Sequence, residues 1–438
     1  MKIEGISAYQ IFDSRGVPTL EVEVLLDDGV RGRGLVPSGA STGQFEAVDL
    51  RDGDPTRFCG KSVFRAIENV AREIAPAMVG RDPRDQAGID RRLIELDGTP
   101  NKSRLGANAI LGVSMAVADA AARAIGSPLF EYLGAGNGVL LPLPEIQMIG
   151  GGAHANWRTD VQDFLLIATG ARSYDEALEI SHNVYHAAGD LLKRRGTYLG
   201  VADEGGYWPE FSSHEAVFEF LMRSIEAAGY TPGRQAALAL DLAASDLYDA
   251  ATNRYHLRLE NRALTTEQMI ALVSDWCRCY PIVSLEDPLA DTDWEGWRHL
   301  RTALGEQVQL VGDDLFSTNP ARIRQGIAKG AANAVLIKLN QIGTISETLE
   351  AIRLTQQAGW RPIISARSGE TEDVLIAHLA VATNAGQLKV GSFSRSERMA
   401  KWNEVLRISK LLGERACFAA ADASGGIALP PVFRSFPE

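Results

Sequence analysis

Six acidic or basic side chains in the second half of the chain have the types and spacing needed for chemistry. Each stands at or just after the end of a short apolar run, and they are separated by 45, 27, 25, 29 and 22 residues, about one strand and helix apiece. The six residues are Asp241, Glu286, Asp313, Lys338, Arg367 and Lys389. A polar residue at the carboxyl end of each successive strand is typical of a parallel β/α barrel, in which the active site lies at that rim.

The three carboxylates of Asp241, Glu286 and Asp313 are expected to lie close together at this rim. Carboxylates aimed at one point repel each other unless a cation neutralises them. Because no cysteine or histidine joins the set, oxygen ligation favours Mg²⁺ over zinc or copper. A single acid in such a place more often begins a loop or caps a helix. Three acids on successive units favour a magnesium site.

Lys338 is the lysine best placed for catalysis, since it interrupts the apolar run VLIKL. Burial beside other cations is expected to lower the pKa of its ammonium group, which lets a lysine act as a general base. The alternative is a structural strut paired with a carboxylate. Lys389 either depresses the pKa of Lys338 or binds negative charge on an intermediate. A lysine base, carboxylate-held Mg²⁺ and further cations are the apparatus for removing a proton α to a carboxylate.

The 438 residues exceed one ordinary core, and their pattern changes near residue 141. Period-two alternation in TLEVEVLLDDGVRGRG predicts a β-hairpin with its turn at Asp27-Asp28-Gly29, and residues 62–135 have a helical pattern. Strands followed by helices predict an α+β domain over residues 1–140. From the segment LPLPE onward, apolar strands alternate with amphipathic helices, so residues 141–438 are predicted to form the β/α barrel.

Composition and charge exclude several other classes of protein. The net charge is −12 with no strongly basic stretch, which argues against a nucleic-acid partner. No apolar run approaches the roughly 20 residues that span a bilayer, so no membrane partner is expected. The first residues lack an apolar signal core, which predicts a cytoplasmic location. The pair Cys277 and Cys279 has no second pair to complete a zinc site.

Nine ordered segments make the chain resemble the enolase family over nearly its whole length. The segments are FDSRGVPTLEVEV, PSGASTGQFEAVDLRDGD, DEGGYWPE, DLAASDLYD, SLEDPL, VGDDLFSTNP, IKLNQIGT, RSGETED and RSERMAKWNE. The resemblance implies an N-terminal α+β capping domain followed by an enolase-type β/α (TIM-like) barrel. It also implies a small phosphorylated carboxylate as substrate, and a homodimer or higher homo-oligomer.

The resemblance further implies a role for each residue that matches a family motif. The ligands of a tight Mg²⁺ would be Asp241, Glu286 and Asp313. Ser41, in a mobile loop, would help to bind a second Mg²⁺ when that loop closes. Lys338 would be the base and Glu204 the general acid, while Arg367 and Ser368 would hold the substrate phosphate. The other residues near the substrate would be His154, Gln162, Asp163 and Lys389.

Two positions depart from the family pattern, and both lie on the side of the leaving group. Ala366 stands where enolases carry the histidine of SHRSGETED, and Asp163 stands where they carry a glutamate. In the family both residues assist the general acid around the departing hydroxide. General acid–base help contributes roughly 10²–10⁴-fold. Its loss therefore predicts either a decayed enolase or an enzyme whose substrate has a bulkier, better leaving group.

The intact metal and base residues favour the second account. The hypothesis from sequence is a divergent enolase, similar to the carboxyphosphonoenolpyruvate synthases of phosphonate and phosphinate antibiotic pathways. It would form an enolpyruvyl product by α-proton abstraction and β-elimination from a phosphoglycerate-type substrate, with room for a second, phosphonate substrate. Two alternatives stay open. One is an ordinary enolase that converts 2-phosphoglycerate to phosphoenolpyruvate, and the other is a non-catalytic, enolase-like binding or scaffold protein.

Overall fold

The structure is a computed structural model that describes residues 1–40, 43–305 and 307–419. The chain begins with a three-stranded antiparallel sheet. The strands are β1 (Ile3–Phe12), β2 (Pro18–Leu26) and β3 (Arg31–Leu35), with β2 in the centre. Leu20, Val22 and Val24 alternate along β2 and are fully buried, as expected for side chains on one face of a strand. The predicted hairpin is confirmed, because its turn lies at residues 27–30.

Helices follow this sheet, and the longest of them packs against it. They are α1 (Phe64–Asn69), α2 (Ala75–Met78), α3 (Gln86–Asp97), α4 (Ala107–Ala124) and α5 (Leu129–Leu133), with a π-helical stretch, Val70–Ile74, between α1 and α2. The alanine-rich α4 lies very close to β3. A Cβ atom on Gly32 would come within 2.2 Å of the backbone nitrogen of Ala120. Small residues on both elements therefore allow the sheet and helix to share one core.

The rest of the described chain forms a closed eight-stranded barrel. Its strands are β5 (Leu143–Gly150), β6 (Asp163–Ile167), β7 (Ala237–Asp241), β11 (Ile282–Glu286), β12 (Gln309–Gly312), β13 (Ala334–Ile337), β14 (Arg361–Ser365) and β15 (Gln387–Gly391). Short strands outside the barrel are β4 (Leu140–Leu141), β8 (Tyr248–Asp249), β9 (Arg254–Leu257), β10 (Arg262–Leu264) and β16 (Cys417–Phe418). The barrel closes because β15 pairs with β5 and β7 pairs with β11.

Helices connect the barrel strands. They are α6 (Tyr174–Arg195), α7 (His214–Ala227), α8 (Thr266–Cys279), α9 (Trp294–Leu304), α10 (Pro320–Lys329), α11 (Leu339–Ile342), α12 (Ile345–Gln357), α13 (Leu375–Ala382) and α14 (Ser396–Leu412). Ser173, Ser213 and Thr265 cap α6, α7 and α8 by accepting a hydrogen bond from the backbone N–H three residues on. Within the described ranges, no helix combines the length and apolarity needed to cross a bilayer.

The prediction of a wholly parallel barrel is wrong at one strand. β6 pairs antiparallel with both of its neighbours, β5 and β7, whereas the other neighbouring barrel strands pair in parallel. The physical reason lies in the connection between β5 and β6. Residues 151–162 contain a single 3₁₀ turn, Gly152–Ala155, and no α-helix, so the chain turns back instead of crossing over.

The N-terminal sheet reaches the rim of the barrel. Ser38 and Gly369 exchange backbone hydrogen bonds of 2.8 and 3.0 Å, and the Ser14 N–H donates to the Glu370 carbonyl at 2.8 Å. Gly369 lies just beyond β14. The ends of the first strands therefore lie directly over the rim where the predicted site residues emerge.

Candidate active site

The predicted catalytic residues converge at the carboxyl-terminal rim of the barrel. They are Asp241 at the end of β7, Glu286 at the end of β11, Asp313 after β12, Lys338 after β13, Arg367 after β14 and Lys389 within β15. All of them except Glu286 line one cavity, and Glu286 contacts Lys389. The wall of the cavity also includes His154, Gln162, Asp163, Glu204 and Ser368. Residues far apart in sequence thus face one another.

Lys389 is the centre of a buried charge network. Its Nζ lies 2.8 Å from Asp241 Oδ2 and 2.9 Å from both carboxylate oxygens of Glu286. Asp163 Oδ2 is 3.4 Å away. Burial lowers the pKa of Lys389, but the charges of Asp241 and Glu286 raise it more, so its pKa lies well above the usual range. Lys389 therefore remains a cation at neutral pH.

Lys338 pairs with a carboxylate. Its Nζ donates to Asp313 Oδ2 at 2.5 Å, and both side chains are largely buried. Burial lowers the pKa of Lys338, but the charge of Asp313 raises it more, so the net shift is upward. The prediction of a lowered pKa is therefore wrong for this arrangement, because Asp313 outweighs the neighbouring cations Arg367 and Lys389.

The donor atoms at this rim suit a hard divalent cation. Asp241, Glu286 and Asp313 are 2, 3 and 7% exposed, and all three offer carboxylate oxygens. Carboxylates so deeply buried require nearby positive charge. Lys389 and Lys338 supply it in this structure. An all-oxygen, strongly anionic donor set of this kind fits Mg²⁺.

A second acidic group, which sequence reasoning missed, lies beside these residues. Among the described residues, one set of histidine, cysteine or acidic donors lies within 4.8 Å of one another, and it consists of Asp287, Asp313 and Asp314. Asp287 accepts hydrogen bonds from the backbone nitrogens of Asp313 (3.0 Å) and Asp314 (2.7 Å). Burial and the charge of Asp313 raise the pKa of Asp314 to about 8. Asp287 thus fixes the backbone that carries Asp313. The sequence signal for this acidic group is the two pairs of adjacent acids in LEDPL and VGDDL.

Glu204, His154 and Asp163 also line the cavity. His154 Nδ1 lies 3.8 Å from Glu204 Oε1, and both residues are 8% exposed. Burial and the charge of Glu204 raise the pKa of Asp163 to about 6. Burial raises the pKa of Glu204, but Arg398 and His154 lower it more, so it lies below the usual range. Ala366 lines the same cavity, which therefore contains one imidazole, that of His154, even though position 366 offers none.

Gln147 joins two parts of the cavity wall and was not predicted. Its side chain is fully buried in β5. Its Nε2 donates a short hydrogen bond to Asp163 Oδ1, while its Oε1 accepts one of 2.8 Å from the Gly206 N–H. A Cβ atom on Gly206 would lie 2.7 Å from that oxygen, so this approach requires glycine. Gln147 therefore ties Asp163 to the loop that carries Glu204.

Arg367 and Ser368 face the N-terminal part of the chain. Arg367 Nη1 lies 2.9 Å from Glu46 Oε2 and 2.9 Å from Asn340 Oδ1. Ser368 Oγ accepts a hydrogen bond of 2.8 Å from the Ala40 N–H. Ser41, predicted to bind a second Mg²⁺, lies outside the described residues. Sequence reasoning also missed Glu46, because this residue lies before residue 141, where the pattern that predicts the barrel begins.

Gln162 and Glu145 complete the buried polar groups near the cavity. Gln162 Nε2 donates to Asp241 Oδ2 at 3.0 Å, which places this predicted substrate residue beside a predicted metal ligand. Glu145 is 2% exposed in β5, and burial raises its pKa to about 7. Its Oε1 has no hydrogen-bond partner among the described residues. Glu145 breaks the apolar run LPLPEIQMIG, in which the segment LPLPE predicts a domain boundary.

The fold and the cavity together define a class of enzyme. A β/α barrel with one antiparallel strand presents two lysines opposite buried carboxylates, an arrangement suited to removing a proton from carbon beside a carboxylate. Two family models match the chain: "Enolase, C-terminal TIM barrel domain" over residues 138–425 and "Enolase, N-terminal domain" over residues 3–133. The chain belongs to the enolase family and is an enzyme of the lyase type.

Two relatives match almost from end to end. "Enolase 1" of Desulfitobacterium hafniense strain Y51 is 56% identical over 416 residues, which cover 95% of each chain. "Enolase" of Acidothermus cellulolyticus is 54% identical over 421 residues, covering 96% of this chain and 97% of the relative. The family expected from the sequence motifs is confirmed. The finer hypothesis of a phosphonate-pathway synthase has no support among these matches.

Proposed function

We propose that this protein is an ordinary enolase, which removes water from 2-phosphoglycerate to give phosphoenolpyruvate. The observation that carries the proposal is that Lys338 and Lys389 line one cavity together with Glu204 and His154. A base and proton donors that face one cavity suit an elimination in which hydroxide must leave as water. The names of both relatives also favour this reaction over the altered chemistry inferred from sequence.

Each residue then has a defined task in the elimination. Lys338 accepts the proton from C2 of the substrate, the C3–oxygen bond breaks, and a C2–C3 double bond forms. Glu204, with His154 and Asp163 beside it, delivers the proton that turns the leaving hydroxide into water, and because the pKa of Glu204 lies below the usual range in this structure, that pKa has to rise in the working enzyme. Lys389 meets the negative charge of the substrate carboxylate, and Arg367 with Ser368 binds the phosphate.

Mg²⁺ is the cofactor that fits the donor set. Asp241, Glu286 and Asp313 would hold it. When bound, the ion would supply positive charge to the substrate carboxylate and lower the pKa of the neighbouring Lys338. Lys338 must lose its proton before it can accept one from the substrate, so its present pairing with Asp313 has to weaken in the working enzyme.

An altered substrate remains a second candidate because of two specific residues. Ala366 contributes no polar group to the leaving-group wall, and Asp163 is one methylene shorter than the family's glutamate. These changes leave room for a larger leaving group. Against this, the base Lys338, the acid Glu204 and its neighbour His154 all line the same cavity.

A single assay separates the two candidates. With 2-phosphoglycerate and Mg²⁺, the ordinary enolase should turn over at roughly 1–10³ s⁻¹, the usual range for enzymes. Turnover about 10²-fold lower that is restored by Ala366→His together with Asp163→Glu would instead support an altered substrate. The same assay tests the role of Lys338, because Lys338→Ala should abolish both turnover and solvent exchange of the C2 proton.

A matched control for Lys338 lies elsewhere in the chain. Lys102 is 3% exposed and its Nζ pairs with Glu347 at 3.0 Å, outside the cavity. Lys102→Ala therefore removes a buried, paired lysine without touching the site. It should lower the melting temperature and leave kcat unchanged. If Lys338→Ala kept substantial C2 exchange, the proposed base would be wrong, and absence of both turnover and Mg²⁺-dependent stabilisation in the wild type would favour a non-catalytic role.

A further inference from the structure

A pair of histidines on helix α6 lies outside the site described above. His182 and His186 are one helical turn apart, and both side chains are exposed. Residues four apart lie on the same face of a helix, and the two ring centroids are separated by 4.2 Å. Imidazoles placed in this way can chelate one metal ion through a nitrogen from each ring.

The surroundings of the other histidines differ. His154, His214 and His378 are buried or nearly so, and each faces a carboxylate. His256 and His299 are exposed, and neither has a second imidazole beside it. Among the described residues, His182 and His186 are therefore the one pair of exposed histidines with ring-to-ring contact, and they lie on a helix of 22 residues.

The immediate environment favours the neutral form of His186. Burial lowers the pKa of His186, and the neighbouring His182 lowers it further. A low pKa favours the unprotonated imidazole that a metal requires. Phe393 packs edge-on against the His182 ring at 5.8 Å, and the Tyr185 ring packs edge-on against His186, also at 5.8 Å. These aromatic contacts restrict the two rings on the helix surface.

We propose that His182 and His186 form a binding site for a divalent transition-metal ion of the Zn²⁺, Ni²⁺ or Cu²⁺ class. Two nitrogen ligands select these ions over Mg²⁺, which prefers oxygen. No third donor side chain of the described residues completes a cluster here, so water or an added ligand fills the remaining positions. Asp190, one turn beyond His186, is paired with Lys193 at 3.3 Å. The site is independent of the proposed enolase reaction.

The site lies behind the loop that carries Glu204. Tyr185, between the two histidines in sequence, donates a hydrogen bond of 2.9 Å to the Gly205 carbonyl. Ser394, next to Phe393, donates to the same carbonyl at 2.9 Å. A metal ion bound to two adjacent turns of α6 should therefore stabilise the helix that supports this loop. Metal binding should raise the melting temperature of the protein.

Calorimetric titration tests the proposal directly. Protein without an affinity tag, saturated with Mg²⁺, is titrated with NiCl₂ at neutral pH, and one Ni²⁺ site assigned to the pair is expected. His182→Ala and His186→Ala should each weaken that site by about tenfold or more, because a chelate loses the benefit of its second ligand. Both should also remove the Ni²⁺-dependent rise in melting temperature.

Two control variants make the test specific to the pair. His299→Ala removes an exposed histidine elsewhere and should leave the Ni²⁺ site intact. The double variant His186→Ala with Asp190→His keeps two imidazoles on the same face but places them two turns, about 12 Å, apart. It should bind as weakly as His186→Ala alone. Ni²⁺ affinity that survives both single substitutions, or that is equal in the double variant and the wild type, would overturn the proposal.

Discussion

At the scale of single residues, the cavity is arranged as pairs of opposite charge. Lys338 is paired with Asp313, and Lys389 with Asp241 and Glu286. These pairs keep the buried charges compatible with folding, but they also hold Lys338 in its protonated form. Catalysis as proposed therefore depends on what weakens the contact between Lys338 and Asp313. A base that works only when its partner carboxylate is neutralised stays protonated while this pairing lasts.

Gln147 is predicted to act as a positioning residue. Gln147→Leu leaves the Gly206 N–H and one oxygen of Asp163 without their buried partner, at a cost of about 1–3 kcal/mol. Because the loop bearing Glu204 is no longer held in position, kcat for 2-phosphoglycerate should fall by about 10–100-fold, with KM much less affected. Steady-state kinetics together with urea unfolding measure both effects.

The control for Gln147 is a buried glutamine at the opposite rim. Gln309, at the start of β12, is fully buried, and its amide hydrogen-bonds with Ser284 and Gln387 at 3.1 and 3.0 Å. Gln309→Leu should destabilise the protein to a similar extent and leave kcat unchanged. Equal losses of kcat in the two variants would show that Gln147 acts only through overall stability.

Glu145 should make the protein less stable as the pH rises. Burial raises its pKa to about 7 in the folded state, from the ordinary value of 4.5. A carboxyl with a raised folded pKa stabilises the fold fully below the ordinary pKa, and that contribution is lost as the pH rises toward 7. The difference corresponds to about 3 kcal/mol.

Glu145→Gln removes this dependence. The variant should exceed the wild type in free energy of unfolding by up to about 3 kcal/mol at pH 8, and differ little from it at pH 4. Urea unfolding at the two pH values measures this difference. An equal effect at both pH values would mean that Glu145 remains ionised, or remains protonated, throughout.

At the scale of secondary structure, the approach of α4 to β3 depends on glycine. A Cβ atom on Gly32 would meet the backbone of Ala120 at 2.2 Å, and neighbouring backbone cannot move aside as a flexible side chain can. Gly32→Ala should therefore destabilise the protein by about 1–3 kcal/mol, the usual cost of overpacking. Thermal or urea unfolding measures it. Gly5→Ala, on β1 with no atom within 4 Å, is the matched control and should change stability very little.

The barrel strands could be predicted from the polar residues that end their apolar runs. Asp241, Glu286 and Lys338 all emerge where the apolar runs placed them, because a polar residue that ends a buried strand must lie at a rim. The direction of β6 was not predictable in this way. All five of its residues are buried, so its sequence, DFLLI, carries no pattern that distinguishes a parallel strand from an antiparallel one.

Contacts between distant side chains were the part of the site that sequence did not predict. The upward pKa shift of Lys338 depends on which charge lies nearest, and periodicity gives no such distance. Gln147 and Glu46 were missed for the same reason, since each acquires its role from a partner in another element. The departures at Ala366 and Asp163 were visible in sequence, but the imidazole of His154 beside Glu204 was not.

At the scale of the whole molecule, the N-terminal sheet and the barrel meet at the active site. The two parts approach closely at Gly369, since a Cβ atom there would lie 2.2 Å from Asp13 Oδ2, 2.4 Å from Arg15 Nη2 and 2.7 Å from the Ser38 carbonyl oxygen. Arg367 and Ser368 immediately precede it. The segment proposed to bind phosphate is therefore held in place by the docking of the two parts. A second contact between the two parts joins Asp90 of α3 to Ser346 of α12 at 2.6 Å.

Gly369→Ala is predicted to separate the unfolding of the two parts and to abolish activity. The seven tryptophans all lie between residues 157 and 402, so their fluorescence reports on the barrel side alone, while hydrogen exchange of β2 amides reports on the sheet. In the wild type both probes should lose their native signal at the same urea concentration. In Gly369→Ala the β2 amides should exchange at lower urea, because the added methyl group pushes the sheet off the rim.

The control is Ser346→Ala, which loosens the contact between Asp90 and Ser346 and should keep most of the activity. Coincident transitions in Gly369→Ala, with activity retained, would mean that the docking does not position Arg367 and Ser368.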